Sequence, residues 1–486
     1  MNHRVFHVCL LSLFCIMVAA LWQCQKRGGI KGVTSVQDRY FFVQNNITFE
    51  KYSVGDSFDV QILLNDIKQV IDGFGGCFHE LGWQALQALN ESQRDSVLKS
   101  LFGTDGCNFN TGRMAIGAND FARDWYSFDE NAGDYEMNYF SIDRDKQNLI
   151  PFIKAALKLR PEIKIWGSPW CPPSWMKKNS YYACSPSPYN KLDPSLPRRE
   201  NGETDFIMDK RTQAAYALYF TKYVQAYQAE GITISAVHVQ NEPHSCQSFP
   251  SCLWQGADLK NFIRDYMGPL FMEKGLTTTE IWYSTFERPY DGPWAAEIDG
   301  VLNDEKVMQY IRGFGFQWAG REAIAEIHKR VPHMKLMHTE MECGDGQNTW
   351  TWAEHVYDLL SHYFNNGANS QMYWNMILNE TQKSSWGWPQ NSMVTINSQT
   401  GQITFNPDYY ILKHFSHFIK SGAHYLNTTG NGRSQLAFIN PGGDIVLLIH
   451  QKEPRGSEWK VKVGTRLLTV AVPAQSVSTI LIENLY

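Results

Sequence analysis

Several features are scarce in this 486-residue chain, and each scarcity argues against a class of protein. Charged residues make up only 19% and the net charge is −5, with no long run of Lys and Arg, so a nucleic-acid partner is not expected. No Gly-x-Ser-x-Gly sequence occurs, which disfavours an esterase with a Ser–His–acid arrangement. The glycine cluster Gly73-Phe74-Gly75-Gly76 lacks the complete nucleotide fingerprint, so a doubly wound dinucleotide domain is also disfavoured.

Metal-ligand spacings are missing as well. The histidines at 238, 328, 333 and 338 and the cysteines match no common zinc pattern, so we expect no metal and no cofactor. Seven cysteines follow residue 24, and an odd number cannot all pair within one chain. Cys171 and Cys184, and likewise Cys246 and Cys252, are close in sequence, but spacing alone establishes neither disulfide.

The one long apolar run lies at the amino terminus. His3 and Arg4 precede a stretch from residue 5 to 21 that is short for a membrane span, which predicts an export signal over residues 1–24. Cys24 is a candidate for the lipidated first residue of a bacterial lipoprotein, although Gln23 is not the usual small residue before it. A retained signal anchor is the alternative. We therefore expect an exported protein, periplasmic or at the cell surface, whose membrane attachment would be a lipid at Cys24.

The remainder of the chain is predicted to fall into four segments. Residues 25–37 are interpreted as a tether, and residues 38–69 as strands that precede any helical pattern. Residues 70–415 alternate strands with helices, and residues 416–486 contain only closely spaced strands separated by Gly, Pro and Asn. The last segment predicts an all-β sandwich, and the early strands near Phe41 and Val60 are expected to join it.

Short apolar runs in the third segment number eight, and helix-like stretches lie between them. Repeated alternation implies parallel strands, and eight units favour a closed (β/α)8 TIM barrel over an open doubly wound sheet. The predicted fold is therefore α/β, a TIM barrel with an attached all-β sandwich. The runs begin at residues 72, 112, 163, 236, 281, 313, 335 and 371, and the clearest helices are predicted at 145–159, 211–230, 258–274, 321–330 and 351–366.

Two glutamates stand where barrel strands are predicted to end. Glu242 closes Val-His-Val-Gln-Asn-Glu, and Glu340 closes Lys-Leu-Met-His-Thr-Glu. Because barrel active sites lie at the carboxyl ends of the strands, these carboxylates can face one another across a cleft. A pair of facing carboxylates can split a glycosidic bond through a covalent intermediate.

The two glutamates are expected to have different roles. Glu242 is the candidate acid, which must keep its proton, and Glu340 is the candidate nucleophile, which must stay ionised beside a cation. Arg113, near the end of the second run, is the best-placed cation in the sequence. Glu342 is the rival nucleophile, two residues further on.

Aromatic residues reach 14% of the chain, with 16 Trp, which fits both carbohydrate binding and a large aromatic core. An Asp can accept hydrogen bonds from two sugar hydroxyls, an Asn can bind a hydroxyl, and a Trp offers a stacking face. The candidate substrate-holding residues are Asp120, Trp170, Asn241, Trp374 and Trp388.

Several blocks in one order resemble glycoside hydrolase family 30, the family of acid β-glucosylceramidase. They are Asp-Gly-Phe-Gly-Gly at 72–76, the segment 113–121, Ser-Pro-Trp-Cys-Pro-Pro-Ser-Trp-Met-Lys at 168–177, Asn-Glu-Pro at 241–243, Thr-Glu at 339–340, Tyr-Trp-Asn at 373–375 and the segment 388–391. The resemblance covers roughly residues 70 to 420 and is weaker in the predicted sandwich. It implies a (β/α)8 barrel with a side sandwich and retaining hydrolysis of a β-glycoside without a metal.

The resemblance also assigns roles to individual positions. It implies that Glu242 is the acid/base, that Glu340 is the nucleophile and that Arg113 supports it. The sugar pocket is implied to consist of Asp120, Trp170, Asn241, Trp374 and Asn391, with contacts from Gln317, Trp318 and Trp388.

One departure from the family pattern concerns the end of the sixth strand. Glucosylceramidase-like members have His-Trp-Tyr there, whereas this chain has Gln317-Trp318-Ala319. The tyrosine that would donate to the nucleophile is missing, which argues against glucosylceramide as the substrate. The first expectation is a retaining β-glucosidase of the glucosylceramidase-like kind, acting on a β-linked glucoside or glucan. The family also contains endo-acting β-1,6-glucanases and xylanases, so an endo-β-1,6-glucanase or another glycanase of the family is the alternative. A non-catalytic carbohydrate-binding protein is the alternative from another class.

Overall fold

A closed barrel of eight strands and a sheet of ten strands form the two main units of the fold. The computed structural model describes residues 29–195, 203–430 and 434–483. Its strands, numbered along the chain, are β1 (Ile30–Val36), β2 (Arg39–Gln44), β3 (Ile47–Lys51), β4 (Val60–Ile71), β5 (Gly73–Phe78), β6 (Thr111–Ala115), β7 (Lys164–Ser168), β8 (Ile234–His238), β9 (Glu280–Phe286), β10 (Ile311–Gln317), β11 (Lys335–Glu340), β12 (Ser370–Asn375), β13 (Ile377–Asn379), β14 (Val394–Ile396), β15 (Ile403–Phe405), β16 (Ala423–Gly430), β17 (Ser434–Ile439), β18 (Ile445–Gln451), β19 (Ser457–Val463), β20 (Arg466–Val472) and β21 (Ser476–Ile482).

The α-helices of the described residues lie mainly between the barrel strands. They are α1 (Glu80–Gln87), α2 (Glu91–Phe102), α3 (Asp143–Gln147), α4 (Leu149–Leu159), α5 (Lys210–Ala229), α6 (Gly256–Phe262), α7 (Gly268–Glu273), α8 (Gly292–Leu302), α9 (Glu305–Met308), α10 (Arg321–Arg330), α11 (Trp350–Asn365) and α12 (Pro407–Ser416). The helix predicted at 145–159 divides into α3 and α4. The one predicted at 258–274 contains a π-helical turn between α6 and α7, next to Pro269, which has no N–H to donate.

The barrel runs from β5 to β12 with every neighbouring pair parallel, which confirms the predicted TIM barrel. All residues of β5 are buried, as expected for a strand covered by helices outside and by side chains within the barrel. Gly75 pairs with Thr111 of β6, and a Cβ at position 75 would lie 1.9 Å from the Thr111 carbonyl oxygen. Glycine therefore permits the close approach of these two strands.

The ten-stranded sheet combines both ends of the chain, in the order β2-β1-β21-β18-β17-β16-β4-β19-β20-β3. Strands that are far apart in this order share one apolar core, in which residues such as Leu447 of β18 and Leu468 of β20 are fully buried. The sheet therefore folds over so that its two halves enclose this core, as in a sandwich.

The prediction of a tether over residues 25–37 is wrong for the stretch Ile30–Val36, which forms strand β1. This strand pairs with β21 along its whole length and with β2 on its other side. Its sequence resembles a loop because two of its buried residues are polar. Thr34 bonds Ser478 at 2.8 Å and Ser35 bonds His414 at 2.9 Å, so both hydroxyls are satisfied by residues remote in the sequence.

The other face of the sheet packs on the barrel helices α11 and α12. Phe438 of β17 contacts Phe364 of α11, with ring centroids 5.6 Å apart. His414 of α12 bonds Ser35 on one side and Thr479 of β21, at 2.8 Å, on the other. Within the described residues, no helix has the length and apolarity needed to cross a bilayer. The predicted export signal and Cys24 lie outside the described residues, so export and lipidation stay predictions.

Substitution of Gly75 by Ala should destabilise the barrel. We expect the free energy of unfolding to fall by about 3 kcal/mol, because the new methyl group forces β5 away from Thr111. Gly300→Ala is the matched control, since Gly300 lies inside α8 and a Cβ there meets nothing within 4 Å. That control should be neutral or stabilising by up to about 1 kcal/mol. Calorimetric unfolding of the two variants checks this, and equal stability would contradict the packing argument.

Candidate active site

The predicted site residues meet at the carboxyl ends of the barrel strands. Arg113 belongs to β6 and Glu340 is the last residue of β11. Asn241 and Glu242 follow β8, and the backbone N–H of Asn241 donates to Pro169 O, after β7, at 2.8 Å. The barrel thus gathers residues from four loops or strand ends around one centre.

Arg113 is the buried hub of this centre, with no solvent exposure. Its Nη1 donates to Glu340 Oε2 at 2.5 Å, and its Nη2 donates to Asn241 Oδ1 at 2.6 Å and to Ser168 Oγ at 3.0 Å. The guanidinium also lies over the face of Trp170, 4.5 Å from the ring centroid. A buried cation with these partners fixes the carboxylate of Glu340 in one orientation.

Gln317 supplies a second donor to Glu340. The pairing of β10 with β11 shifts by one residue after Phe316, so that Gln317 stands opposite Glu340. Its Nε2 lies 2.9 Å from Glu340 Oε2 and 2.9 Å from Asn241 Oδ1. The amide therefore donates to the same oxygen as Arg113, from the position that a histidine has in the family's His-Trp-Tyr, whereas Ala319 stands at the position of the tyrosine.

Glu242 has a backbone conformation that the sequence did not indicate. Because Pro243 follows it, an extended backbone is expected, but its φ is +43°, in the left-handed region. Its N–H donates to Thr285 Oγ1 at 3.2 Å, and Gln247 Nε2 donates to its carboxyl Oε2 at 3.3 Å. Thr285 Oγ1 also donates to Asn241 Oδ1 at 2.9 Å, so one threonine holds two consecutive residues. Strain of this kind persists only where surrounding contacts enforce it.

The charges and burial in the site affect the pKa values of the two glutamates differently. Burial, followed by the charges of Glu340, Glu287 and Asp120, raises the pKa of Glu242 well above its ordinary value. Burial also raises the pKa of Glu340, but the charge and hydrogen bond of Arg113 oppose that effect. Glu242 is therefore the member of the pair that keeps its proton as the pH rises.

Asp120, Trp170 and Trp374 line the inner part of the site. The two indole rings are stacked with centroids 5.1 Å apart, and both side chains are buried. Burial, and next the charge of Glu340, raises the pKa of Asp120 to about 8. A hydrogen bond from the Trp374 side chain partly opposes this rise in the pKa, so Asp120 and Trp374 are held together at the inner end of the site.

Other predicted residues have different environments. Trp388 is 43% exposed, and Trp318 lies in a short 3-10 turn, packed against the barrel core. Asn391 is buried and its Oδ1 accepts from the backbone N–H groups of Gly346 and Asn348, at 2.9 and 3.0 Å, so it holds a loop together. The rival Glu342 pairs with His355 Nε2 at 2.7 Å.

Three contributors were not predicted from the sequence: Ser168, Thr285 and Gln247. Ser168 and Thr285 are small hydroxyl residues at or near the ends of β7 and β9, and their position after apolar runs is a signal that could have identified them. Gln247 lies in the irregular loop after Glu242, where no pattern marks it. In the described residues, no group of three or more His, Cys, Asp and Glu is arranged to hold a metal ion.

Two glutamates held at the mouth of an α/β barrel, one beside a buried arginine, define a glycoside hydrolase. The sequence also matches the model of the glycosyl hydrolase family 30 TIM-barrel domain over residues 71–419. The chain belongs to glycosyl hydrolase family 30, as the sequence motifs predicted.

Named relatives and a solved structure agree with this membership. "Putative glucosylceramidase 3" of Caenorhabditis elegans is 27% identical over 459 residues, which is 89% of this chain and 84% of the relative. Endo-1,6-beta-D-glucanase BGN16.3 of Trichoderma harzianum is 28% identical over 440 residues, 83% of this chain and 84% of the relative. The structure of the endo-β1,6-glucanase BT3312 has a similar fold, with a TM-score of 0.78 and 24% identity over 94% of this chain and 99% of that one.

Removal of the buried cation should destabilise the protein in a pH-dependent way. Arg113→Met leaves Glu340 buried without its cation, and we expect a loss of about 3–5 kcal/mol at pH 7. The folded-state pKa of Glu340 then lies further above its unfolded value, so the folded state binds the extra proton and the deficit should shrink from pH 7 to pH 5.

Thermal unfolding of the variant at both pH values measures this effect. Arg264→Met is the control, because Arg264 pairs with Asp265 at 2.7 Å on the surface and should cost about 1 kcal/mol or less. A deficit in Arg113→Met that is the same at pH 5 and pH 7 would contradict the coupling to Glu340.

Proposed function

We propose that the protein hydrolyses β-glycosidic bonds with retention of configuration, by double displacement. Glu340 attacks the anomeric carbon while Glu242 protonates the departing oxygen. Water then enters, Glu242 removes its proton, and the bond between the sugar and Glu340 breaks, so that Glu340 is released as a carboxylate. Retention calls for two carboxyl groups about 5–5.5 Å apart. Both glutamates lie at the same end of the barrel, and the charge of Glu340 is the first of the charges that raise the pKa of Glu242.

The unequal surroundings of the two carboxyl groups carry this assignment. Arg113 and Gln317 both donate to Glu340 Oε2, at 2.5 and 2.9 Å, which favours the ionised form that a nucleophile needs. The carboxyl group of Glu242 receives only a long bond from Gln247 and faces like charges, which favours the protonated form that an acid needs.

The sugar in the inner pocket is proposed to be β-linked glucose. Stacked Trp170 and Trp374 and the carboxyl group of Asp120 are the kinds of apolar face and acceptor that a pyranose ring uses. The names of the two relatives support glucose, because one is named "Putative glucosylceramidase 3" and the other an endo-1,6-beta-D-glucanase. These names leave two kinds of leaving group, a lipid-linked one as in a glucosylceramidase and a sugar as in an endo-β-1,6-glucanase.

An aromatic rim on the leaving-group side favours the glucan. Phe249 follows Glu242 on the same loop, its ring lies 5.2 Å from that of Trp386, and Trp386 lies 5.2 Å from Trp388. Trp388 is 43% exposed, and Tyr189, whose hydroxyl adjoins Gly387, is 61% exposed. Exposed indole and phenol rings present stacking faces with polar edges, which suit a further sugar unit better than an alkyl chain.

The nucleophile assignment predicts a near-complete loss of activity in Glu340→Gln. Turnover of 2,4-dinitrophenyl β-glucoside should fall by about 10⁴-fold or more, because an amide cannot form the glycosyl–enzyme bond. Glu342→Gln is the matched control, since Glu342 pairs with His355 and should retain activity within about 10-fold. A larger loss in Glu342→Gln than in Glu340→Gln would move the nucleophile to position 342.

The aromatic rim predicts a defect that depends on chain length. In Trp388→Ala, KM for β-1,6-linked gluco-oligosaccharides should rise about 5-fold, because a stacking partner worth about 1 kcal/mol is lost. KM for an aryl β-glucoside should change little, and Trp388→Phe should restore part of the affinity. Assays of the native protein on β-1,6-glucan, glucosylceramide and xylan complete the test, and preferred cleavage of glucosylceramide would overturn the choice of glucan.

A further inference from the structure

A second set of buried charges lies behind Glu242, outside the pocket described above. His244 and Glu287 are each 2% exposed at the side chain, and Glu297 of α8 is 6% exposed. His244 Nε2 lies 2.6 Å from Glu297 Oε2, and His244 Nδ1 lies 3.6 Å from Glu287 Oε1. The imidazole is therefore clamped between two carboxylates, one following β9 and one on a helix outside the barrel.

This cluster is joined to the backbone that carries Glu242. Glu287 Oε1 accepts from the backbone N–H of His244 at 2.9 Å and from Ser245 Oγ at 3.2 Å. Ser245 N–H in turn donates to the carbonyl of Glu242 at 3.1 Å, closing the turn that follows the left-handed residue. Arg288 Nη2 donates to the carbonyl of His244 at 2.7 Å, so both Glu287 and Arg288 hydrogen-bond to the backbone of this turn.

The contacts within the cluster determine which of its groups are ionised. Tyr283 donates to Glu297 Oε1 at 2.7 Å, so this carboxylate has partners on both oxygens. The charge of Glu287 is the main influence that raises the pKa of His244, to about 9, against the effect of burial. His244 in turn lowers the pKa of Glu287. An imidazolium that keeps Glu287 ionised therefore maintains a permanent negative charge behind Glu242.

The charged groups around Glu242 come from three other strands or loops. Glu340 ends β11, Asp120 lies in the loop after β6, and Glu287 follows β9; all three oppose ionisation of Glu242. Arg113 is directed at Glu340 and Asn241. Of the three acids, Glu287 alone has hydrogen bonds to the turn on which Glu242 stands.

We propose that Glu287, which bonds the backbone N–H of His244 and the hydroxyl of Ser245, is a positioning residue for the proton donor: it closes the turn that aims Glu242 and places a carboxylate behind it. The inference rests on the proposed role of Glu242 as the acid. Glu287 touches neither the substrate nor the reacting atoms, so its effect passes through Glu242 alone.

The test replaces Glu287 by Gln and compares leaving groups. For 2,4-dinitrophenyl β-glucoside, whose leaving group needs no proton, kcat/KM should stay within about 3-fold of the native value, whereas for an alkyl β-glucoside or gentiobiose it should fall about 100-fold. The basic limb of the pH profile of kcat/KM should move down by about one pH unit, because loss of the negative charge makes Glu242 ionise more easily.

Two control variants separate this role from a structural one. Glu287→Asp keeps the charge but shortens the side chain, so the basic limb should stay in place while the leaving-group dependence steepens. Glu297→Gln removes the other buried carboxylate around His244 and should lower the unfolding temperature without steepening that dependence. A uniform loss for all leaving groups in Glu287→Gln, with an unmoved basic limb, overturns the inference; if that variant does not fold, a uniform loss in Glu287→Asp does so.

Glu242→Gln, measured beside them, identifies which claim has failed. If kcat/KM of Glu242→Gln falls equally for all leaving groups, Glu242 is not the acid, and the proposed function is contradicted. If kcat/KM depends steeply on the leaving group in Glu242→Gln but not in the Glu287 variants, only the proposed role of Glu287 is contradicted.

Discussion

The ionic contact between Arg113 and Glu340 is the constraint on which the site depends. A guanidinium with no solvent exposure is stable in a protein only if its donors find acceptors, and here these acceptors come from β7, the loop after β8 and β11. The barrel must therefore close in one register for the charge to be satisfied. The same requirement that stabilises the buried arginine also places Asn241 beside the carboxylate, so folding and assembly of the site are one event.

The two glutamates are chemically identical, but their neighbours give them different tendencies to ionise. Glu340 lies against a cation and the amide of Gln317, whereas Glu242 lies among acids on a strained turn. Gln317, at the position of the family's histidine, supplies a donor to Glu340, whereas Ala319 stands in place of the family's tyrosine. The loss of the tyrosine side chain changes the surface that a substrate meets.

The sequence was sufficient for the features that depend on local pattern, and insufficient for those that depend on remote contacts. The eight apolar runs predicted the barrel, and the positions of Glu242, Glu340 and Arg113 at strand ends predicted the centre of the site. Strand β1 was missed because its buried hydroxyls are satisfied by residues more than 370 positions away. The donor role of Gln317 depends on a register shift between two strands, which no single segment of sequence encodes.

The order of strands in the ten-stranded sheet has a consequence for biosynthesis. β1 lies between β2 and β21, and β4 lies between β16 and β19, so the sheet interleaves the beginning of the chain with its end. Strands β1 and β4 are synthesised before the barrel, whereas their partners β21, β16 and β19 follow it, so these edges stay unpaired until the whole barrel has been synthesised. Neither terminal segment is thus an independent module, and a truncation that removes β21 would leave β1 paired with β2 alone and its other edge open.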